Sequence, residues 1–497
     1  MDGARATRNA ASSVAQTVLS ALLLFGLYRY LLLEIGAEGI GVWSVVLAST
    51  GAARIADLGL TGSAVKYVAA YLARGDQRTA AEVVETTVTT IALVIGVMAI
   101  AAYFAVGAFL PAIIDPEGVN PAALDAARAL LPWACLSFWL VSVAGAAQSG
   151  LDGCARFDLR NAILLGSQVL YVGLAVVLVG PYGLVGLAFA QIVQGLLWFV
   201  GLWVAIRQRL PEVRWIPSRL RISLVREMLG YGVNFQILGV LRMLYEPTTK
   251  ALMGRYGGLE LAGLYEVASL AILKLRSLLV AALQVLTPEV ASLEEREPER
   301  VNEVYRDVDR LGWALTLALF AAVAAAAPLV SHLLVGRYEP GFVAFSLILA
   351  VGWGLNSLSA PGFFLLLGTG QMRHVVASHV TVGVVNAAAG WALGIAFGGS
   401  GVAWGWALAL GLGAAHLVVG LWRQRGVVSL PSVHVAAVGV VLMLAAGAAV
   451  YIAGRVPSSI GVSVGALLGF GAVAIVAVWP LPERRRVQAA LLGVLGR

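Results

Sequence analysis

The amino-acid sequence predicts an all-α polytopic membrane protein with about fourteen transmembrane helices. Three observations predict it. The 497 residues are 60% hydrophobic and only 12% charged, with mean hydropathy +0.87, more apolar surface than a water-soluble fold of this length requires. The apolar residues gather into runs of about 20 or more, the length that crosses a bilayer. The basic residues alternate between one set of connections and the other, as membrane topology demands.

The spans fall at 12–33, 39–72, 79–110, 123–149, 160–180, 183–206, 223–254, 258–286, 307–335, 341–368, 374–397, 401–422, 432–453 and 459–481. The first is longer than a signal-peptide core and no small-residue cleavage site follows it, so it reads as an uncleaved span. Of the 34 Lys and Arg residues, 23 lie in the termini and one set of connections. Only Arg128, Arg255, Arg337 and Arg455 lie on the opposite side. That bias places the first set and both termini in the cytoplasm. The organisation is an N-terminal lobe 1–206 (spans 1–6), a basic cytoplasmic linker 207–222, a C-terminal lobe 223–425 (spans 7–12), and 426–497 with spans 13 and 14 and a basic tail. The segment around the linker, with Pro211, Pro217 and Trp215, reads as a solvated connection along the cytoplasmic leaflet.

A weak repeat appears at an offset of 222 residues. Gly36-x-Glu38-x-x-Gly41-x-Trp43 matches Gly258-x-Glu260-x-x-Gly263-x-Tyr265. The same offset aligns Arg54 with Arg276, Arg74 with Arg296 and Arg78 with Arg300. Six spans separate the copies, so both lobes keep one orientation. That is a parallel pseudo-repeat of two six-helix lobes, with a site between the halves, followed by two C-terminal helices.

The remaining seven basic residues lie inside spans: Arg29, Arg54, Lys66, Arg242, Lys250, Lys274 and Arg276. A charge in hydrocarbon costs a few kcal/mol or more, so it normally faces a cavity or a partner. All seven fall on spans 1, 2, 7 and 8, and a cationic lining there suggests a path for something anionic. Span 7 carries Arg242, Glu246 and Lys250 at i, i+4, i+8, one helical face with alternating charge. That stripe either neutralises itself or leaves a cation for substrate. Span 2 carries Arg54 and Asp57 ahead of Gly59 and Gly62, and it is too long for one straight crossing, so a bend is expected there. Span 8 carries Glu266, Lys274 and Arg276. Residues two apart point in nearly opposite directions on a helix, and Arg276 is preferred because of its repeat partner Arg54. Lys66, Lys274 and Arg29 are also placed to snorkel. Asn356 and other amides on the spans read first as interhelical hydrogen bonds, second as sugar contacts.

No Walker-type loop, metal motif or sizeable catalytic loop is present, so the sequence points away from an enzyme. The five histidines do not form a ligand set, and Cys135 and Cys154 support neither a disulfide framework nor a metal site. No cofactor, metal or nucleic acid is expected.

The runs Gly36-Ala-Glu-Gly-Ile-Gly-Val-Trp43, Ala56-Asp-Leu-Gly-Leu60, Val65-Lys-Tyr-Val-Ala-Ala-Tyr71 and Arg74-Gly-Asp76 resemble the N-terminal lobe of polysaccharide-transport, O-antigen-type flippases. The second lobe resembles it again from Lys250 to Gly263-Leu-Tyr-Glu266. These proteins belong to the multidrug/oligosaccharidyl-lipid/polysaccharide exporter superfamily. The resemblance implies two lobes around a central cavity lined by spans 1, 2, 7 and 8. It also implies a polyprenyl-diphosphate-linked oligosaccharide as cargo, carried by alternating access across the inner membrane. Arg54, Arg276, Arg242, Lys250 and Arg29 are then the substrate-binding candidates. Asp57, Glu246 and Glu266 would orient them or take part in sodium or proton coupling. The transport unit is expected to be a monomer, with polysaccharide polymerase machinery as an open partner. The alternatives are a cation-coupled multidrug exporter and a peptidoglycan-precursor flippase. In the latter the residue after the span-1 arginine is typically acidic, where this chain has Tyr30.

Overall fold

A helical run much longer than a bilayer is thick has to break or turn back, and here it does so at glycines. The structure, a computed structural model, describes residues 3–51, 57, 59–114, 120–230, 233–283, 290, 293–294, 297–369 and 371–478. Among them every regular element is a helix: α1 (Gly3–Glu34), α2 (Gly36–Gly51), α3 (Leu60–Ala73), α4 (Gln77–Ile114), α5 (Pro121–Gly153), α6 (Phe157–Arg209), α7 (Ile222–Gly230), α8 (Val233–Leu283), α9 (Pro298–Leu334), α10 (Pro340–Leu358), α11 (Ala360–Gly368), α12 (Met372–Arg425), α13 (Val433–Arg455) and α14 (Ile460–Val478). In lipid no water is available to satisfy backbone N–H and C=O groups, and a helix satisfies its own.

Helix α6 has 53 residues, roughly 80 Å at 1.5 Å per residue, enough for two crossings. Its backbone leaves helical geometry at Gly183 (φ 54°, ψ −133°). A Cβ on Gly186 would sit 2.2 Å from the Leu178 carbonyl oxygen. Residues eight apart approach that closely only where the chain has reversed. Helix α12 repeats the device: 54 residues, a break at Gly398 (φ 63°, ψ −144°), and Gly401 against the Leu393 carbonyl, where a Cβ would meet oxygen at 1.9 Å. Helix α8, 51 residues long, breaks at Gly258 (φ 78°, ψ 169°). With α2–α3 and α10–α11 each taken as one interrupted span, the helices supply about fourteen crossings. The protein is a multi-pass membrane protein, and its outward apolar residues fit that: Val97 is 67% exposed and Phe104 70% exposed.

By packing, the chain forms two compact units, Met1–Gly263 and Leu264–Arg497, with the division inside α8. In the first, α5 packs against α4 and α6, and α3 against α4 and α5. Their core joins Val84, Ile91, Phe138, Leu151, Leu202 and Ile206. Asp76 caps the start of α4, accepting from the Thr79 N–H at 2.9 Å. Side-chain and backbone hydrogen bonds from Thr79 hold the Asp76 carboxyl below the usual carboxylate range.

The segment after α6, which reads as a solvated linker, is instead strapped onto this unit. Leu210, Val213, Leu224 and Met228 are buried in its core. The fully buried Glu85 carboxylate accepts the Arg214 backbone N–H at 2.8 Å and lies 3.7 Å from the Arg219 guanidinium. Arg221 pairs with Glu82, and its N–H reaches Thr86 Oγ1 at 3.3 Å. Trp203 Nε1 donates to the carbonyls of Arg214 and Trp215, and the Arg207 guanidinium lies 3.8 Å from the centre of the Trp215 ring. Trp215 and Ile216 themselves stay 72% and 75% exposed, as side chains of an interfacial anchor do.

In the second unit α9 packs against α10, α13 and α14, and α12 against α10 and α11. Ala321 and Ala325 of α9 meet Leu442, Ala446 and Ala449 of α13 and Phe470 of α14. Small residues let helices approach closely where no hydrophobic drive operates in lipid. The connection after α12 is pinned by Ser429, which donates to Asp309 at 2.7 Å and accepts from Trp313 Nε1 at 3.0 Å.

The repeat has a direct structural counterpart within the first unit. Gly36 and Gly258, equivalent at the 222-residue offset, both adopt left-handed φ, +68° and +78°. A Cβ on Gly41 would lie 1.9 Å from the Leu259 oxygen, and one on Gly263 would lie 1.8 Å from the Ala37 oxygen. The offset converts one contact into the other, so the two glycine motifs touch reciprocally. Gly41→Ala and Gly263→Ala are each expected to lower stability by about 1–3 kcal/mol, because a methyl group cannot displace a helix carbonyl cheaply. Gly62→Ala, with nothing within 4 Å, should not. Thermal unfolding of the detergent-solubilised protein checks all three.

Candidate functional site

A cation inside a bilayer needs the protein to stand in for its water shell. Lys250 and Arg276 show two ways of doing so. Lys250, on α8 before the Gly258 break, is buried, and its Nζ lies 2.5 Å from Glu246 Oε1 one turn earlier. The Lys250 side chain is 9% exposed and that of Glu246 is 68% exposed. The ion pair predicted from the i, i+4 spacing therefore forms, and its acidic end is the exposed one. Arg242 belongs to the same helix, but its side chain lies outside the described residues, as does Arg54 altogether.

Arg276 lies on the far half of α8. Its Nη2 donates to Asn356 Oδ1 at 2.8 Å and its Nε to Ser357 Oγ at 3.2 Å. The guanidinium carbon sits 4.4 Å from the centre of the Trp353 ring, a cation–π distance. These three residues come from the last two turns of α10, where the negative end of the helix dipole also favours a cation. Trp353 is in turn braced edge-on by Trp406 of α12, with ring centres 5.6 Å apart. The sequence offers Asn356 only as one of several amides on spans. Trp353 and Ser357 went unnoticed there, because nothing local links them to a residue some eighty positions away.

Asp57 stands at the break in span 2. Helix α2 ends at Gly51, Gly59 is left-handed (φ 75°), and α3 begins at Leu60. This is the expected bend, and it falls at Gly59, while Gly62 lies inside α3. Asp57 Oδ1 accepts both the Thr61 N–H at 3.1 Å and the Thr61 hydroxyl at 2.8 Å. The carboxylate thus satisfies a donor that the first turn of a helix leaves open. Glu266 is buried on α8. Arg29 is half-buried on α1, next to Tyr30, whose hydroxyl donates to the Val176 carbonyl of α6 at 2.9 Å. Lys66 is exposed, with its ammonium 5.6 Å from the Tyr67 ring centre, and Lys274 is half-buried. Among the described residues no group of three or more His, Cys, Asp or Glu side chains could hold a metal ion.

These features define a multi-pass helical membrane protein, and solved structures share its fold. An inward-facing multidrug-resistance MATE family transporter of the MOP superfamily aligns at TM-score 0.64 and 15% identity, over 84% of this chain and 98% of that one. The lipid II flippase MurJ, in an inward closed conformation, aligns at TM-score 0.71 and 11% identity, over 98% of this chain and 99% of that one. The Vibrio cholerae MATE transporter VcmN aligns at TM-score 0.59 and 12% identity, over 85% and 98%. At such identities the likeness shows the fold. No curated protein matches the sequence. Residues 74–339, more than half of the chain, match the family described as polysaccharide biosynthesis protein. The chain belongs to that family.

The Asp57 geometry separates capping from charge. Asp57→Ala should cost about 1 kcal/mol of stability by removing the acceptor from the first turn of α3. Asp57→Asn and Asp57→Ser, which keep an acceptor oxygen, should retain most of it. Thermal unfolding of the three variants reads the difference.

Proposed function

We propose that this protein is a flippase that moves a polyprenyl-diphosphate-linked oligosaccharide from the cytoplasmic to the outer leaflet of the plasma membrane, for cell-surface polysaccharide synthesis. The observation that carries the reading is the Arg276 guanidinium, on a predicted spanning segment, fixed by Asn356, Ser357 and Trp353 in a member of a polysaccharide biosynthesis family. Guanidinium groups bind diphosphate through several charge-assisted hydrogen bonds. A cationic site on spanning helices suits an anionic headgroup, while the polyprenyl tail stays in lipid. The 23-to-4 distribution of basic residues supports cytoplasmic termini.

In this reading Arg276 and Lys250 are the principal headgroup ligands, with Arg54, Arg242 and Arg29 completing the cationic path. Glu246 sets the position of Lys250 through their ion pair. Asp57 and Glu266 are the further acidic groups available for orienting cations or for sodium or proton coupling. Alternating access moves the headgroup without breaking a covalent bond, so the site needs binding residues rather than a nucleophile or a general base. The lipid-linked saccharide, the bilayer and polysaccharide polymerase machinery are its partners, and one chain is the transport unit.

Loss of the protein should make host cells accumulate one polyprenyl-diphosphate-linked saccharide and lose surface glycan. A charge-assisted hydrogen bond is worth about 1.5–3 kcal/mol, so Arg276→Ala should slow flipping by about tenfold or more at normal expression. Lys250→Ala should act in the same direction. Unchanged intermediates together with altered tolerance to cationic drugs would instead indicate a multidrug exporter.

A further inference from the structure

The segment joining α6 to α8 has two unlike sides. Its inner side is taken up by the first unit. Leu210, Val213, Leu224 and Met228 are buried there, and Glu82 and Glu85 of α4 hold Arg221, Arg219 and the Arg214 N–H. Its outer side has no such cover. Trp215, Ile216, Leu220 and Ile222 are all exposed, Ile222 to 68%. Between residues 207 and 230, six arginines stand against two glutamates.

Local geometry sorts the two sides. On α7, Leu224 and Met228 lie one turn apart and face the core. Ile222 and Arg226 are also four apart, displaced by two residues from that pair, which is about 200° around a helix. They share the outward face, and both are exposed. In the stretch before α7, Arg214 is exposed next to Trp215, and its Nη1 donates to Ser218 Oγ at 3.3 Å. The Trp215 ring is held in place: the Arg207 guanidinium lies against it, and Trp203 Nε1 donates to the Trp215 carbonyl at 2.9 Å. An outward face that mixes an indole, aliphatic side chains and guanidiniums fits the boundary between lipid headgroups and acyl chains.

Two observations favour the bilayer over a protein partner. The segment is tied at both ends to helices that cross the membrane, α6 ending at Arg209 and α8 starting at Val233, so its outer side stays at the membrane surface. Its excess of arginine is complementary in charge to anionic headgroups.

We propose that this segment is a docking surface for anionic phospholipids of the cytoplasmic leaflet, with Trp215, Ile216 and Ile222 in the headgroup–acyl boundary and Arg214 and Arg226 on lipid phosphates. The surface acts independently of the cargo that the protein carries.

The experiment places the full-length protein in phosphatidylcholine nanodiscs containing brominated phosphatidylglycerol or, separately, brominated phosphatidylcholine. Bromine on the upper acyl chain quenches an indole only at close contact, and the quenching lost in Trp215→Phe isolates the Trp215 signal. That signal should reach half its maximum at a lower fraction of the glycerol lipid than of the choline lipid. One arginine near an anionic surface is worth about a fivefold change in affinity. Arg214→Gln and Arg226→Gln should therefore each raise the half-maximal fraction of phosphatidylglycerol about fivefold, and leave quenching by the choline lipid unchanged. Ile222→Trp, at an exposed position, adds a second reporter on α7 and serves if Trp215→Phe does not fold. Equal quenching by the two lipids overturns the anionic-lipid surface and leaves an apolar anchor only. No quenching lost in Trp215→Phe, and none gained in Ile222→Trp, overturns docking to the bilayer and points to a protein partner instead.

Discussion

In hydrocarbon there is no water to complete a polar group, and each part of this structure answers to that constraint. Backbone N–H and C=O groups are satisfied within helices. Where a helix ends, a side chain or a tight turn takes over, as Asp57 does for Thr61. Charges follow the same rule. Lys250 is closed by Glu246, Arg276 by an amide, a hydroxyl and an indole face.

Glycine provides the second half of the architecture. At Gly183 and Gly398 it permits a reversal that lets one apolar run cross twice. At Gly41 and Gly263 it lets two repeated hairpins meet backbone to backbone, each against a carbonyl of the other copy. A repeat that touches itself reciprocally needs matched small residues on both copies, and the Gly-x-Glu-x-x-Gly pattern supplies them at the 222-residue offset. The Gly183 and Gly398 hairpins pair at an offset of 215, so a search at a single offset passes over them.

Much of the fold was legible because its causes are local or compositional. Span number follows from apolar runs, orientation from arginine asymmetry, and the break in span 2 from glycines in an over-long run. The Lys250–Glu246 pair follows from i, i+4 spacing. The unread features depend on tertiary contact. Arg207 to Arg221 looked solvated because its charges are many. Yet Glu82 and Glu85, an acidic pair opening the apolar run of α4, are what bind it, and Leu210 and Val213 vanish into the core beside them. Trp353 and Ser357 gave no signal either, since their partner Arg276 lies on a different span. Asp57, four residues from Thr61, adds a local helix-capping contact to the charge pairing that the sequence suggests.

The central claim is that the protein transfers a lipid-linked, diphosphate-bearing saccharide across a bilayer. The most direct measurement reconstitutes the purified chain in liposomes carrying a labelled polyprenyl-diphosphate oligosaccharide, and follows the label's access to an impermeant saccharide-modifying reagent. Protein-dependent exposure of the inner-leaflet pool, diminished when Arg276 is replaced by alanine, is the predicted result. An inner pool that stays protected, in vesicles that nonetheless transport a cationic dye, would contradict the account.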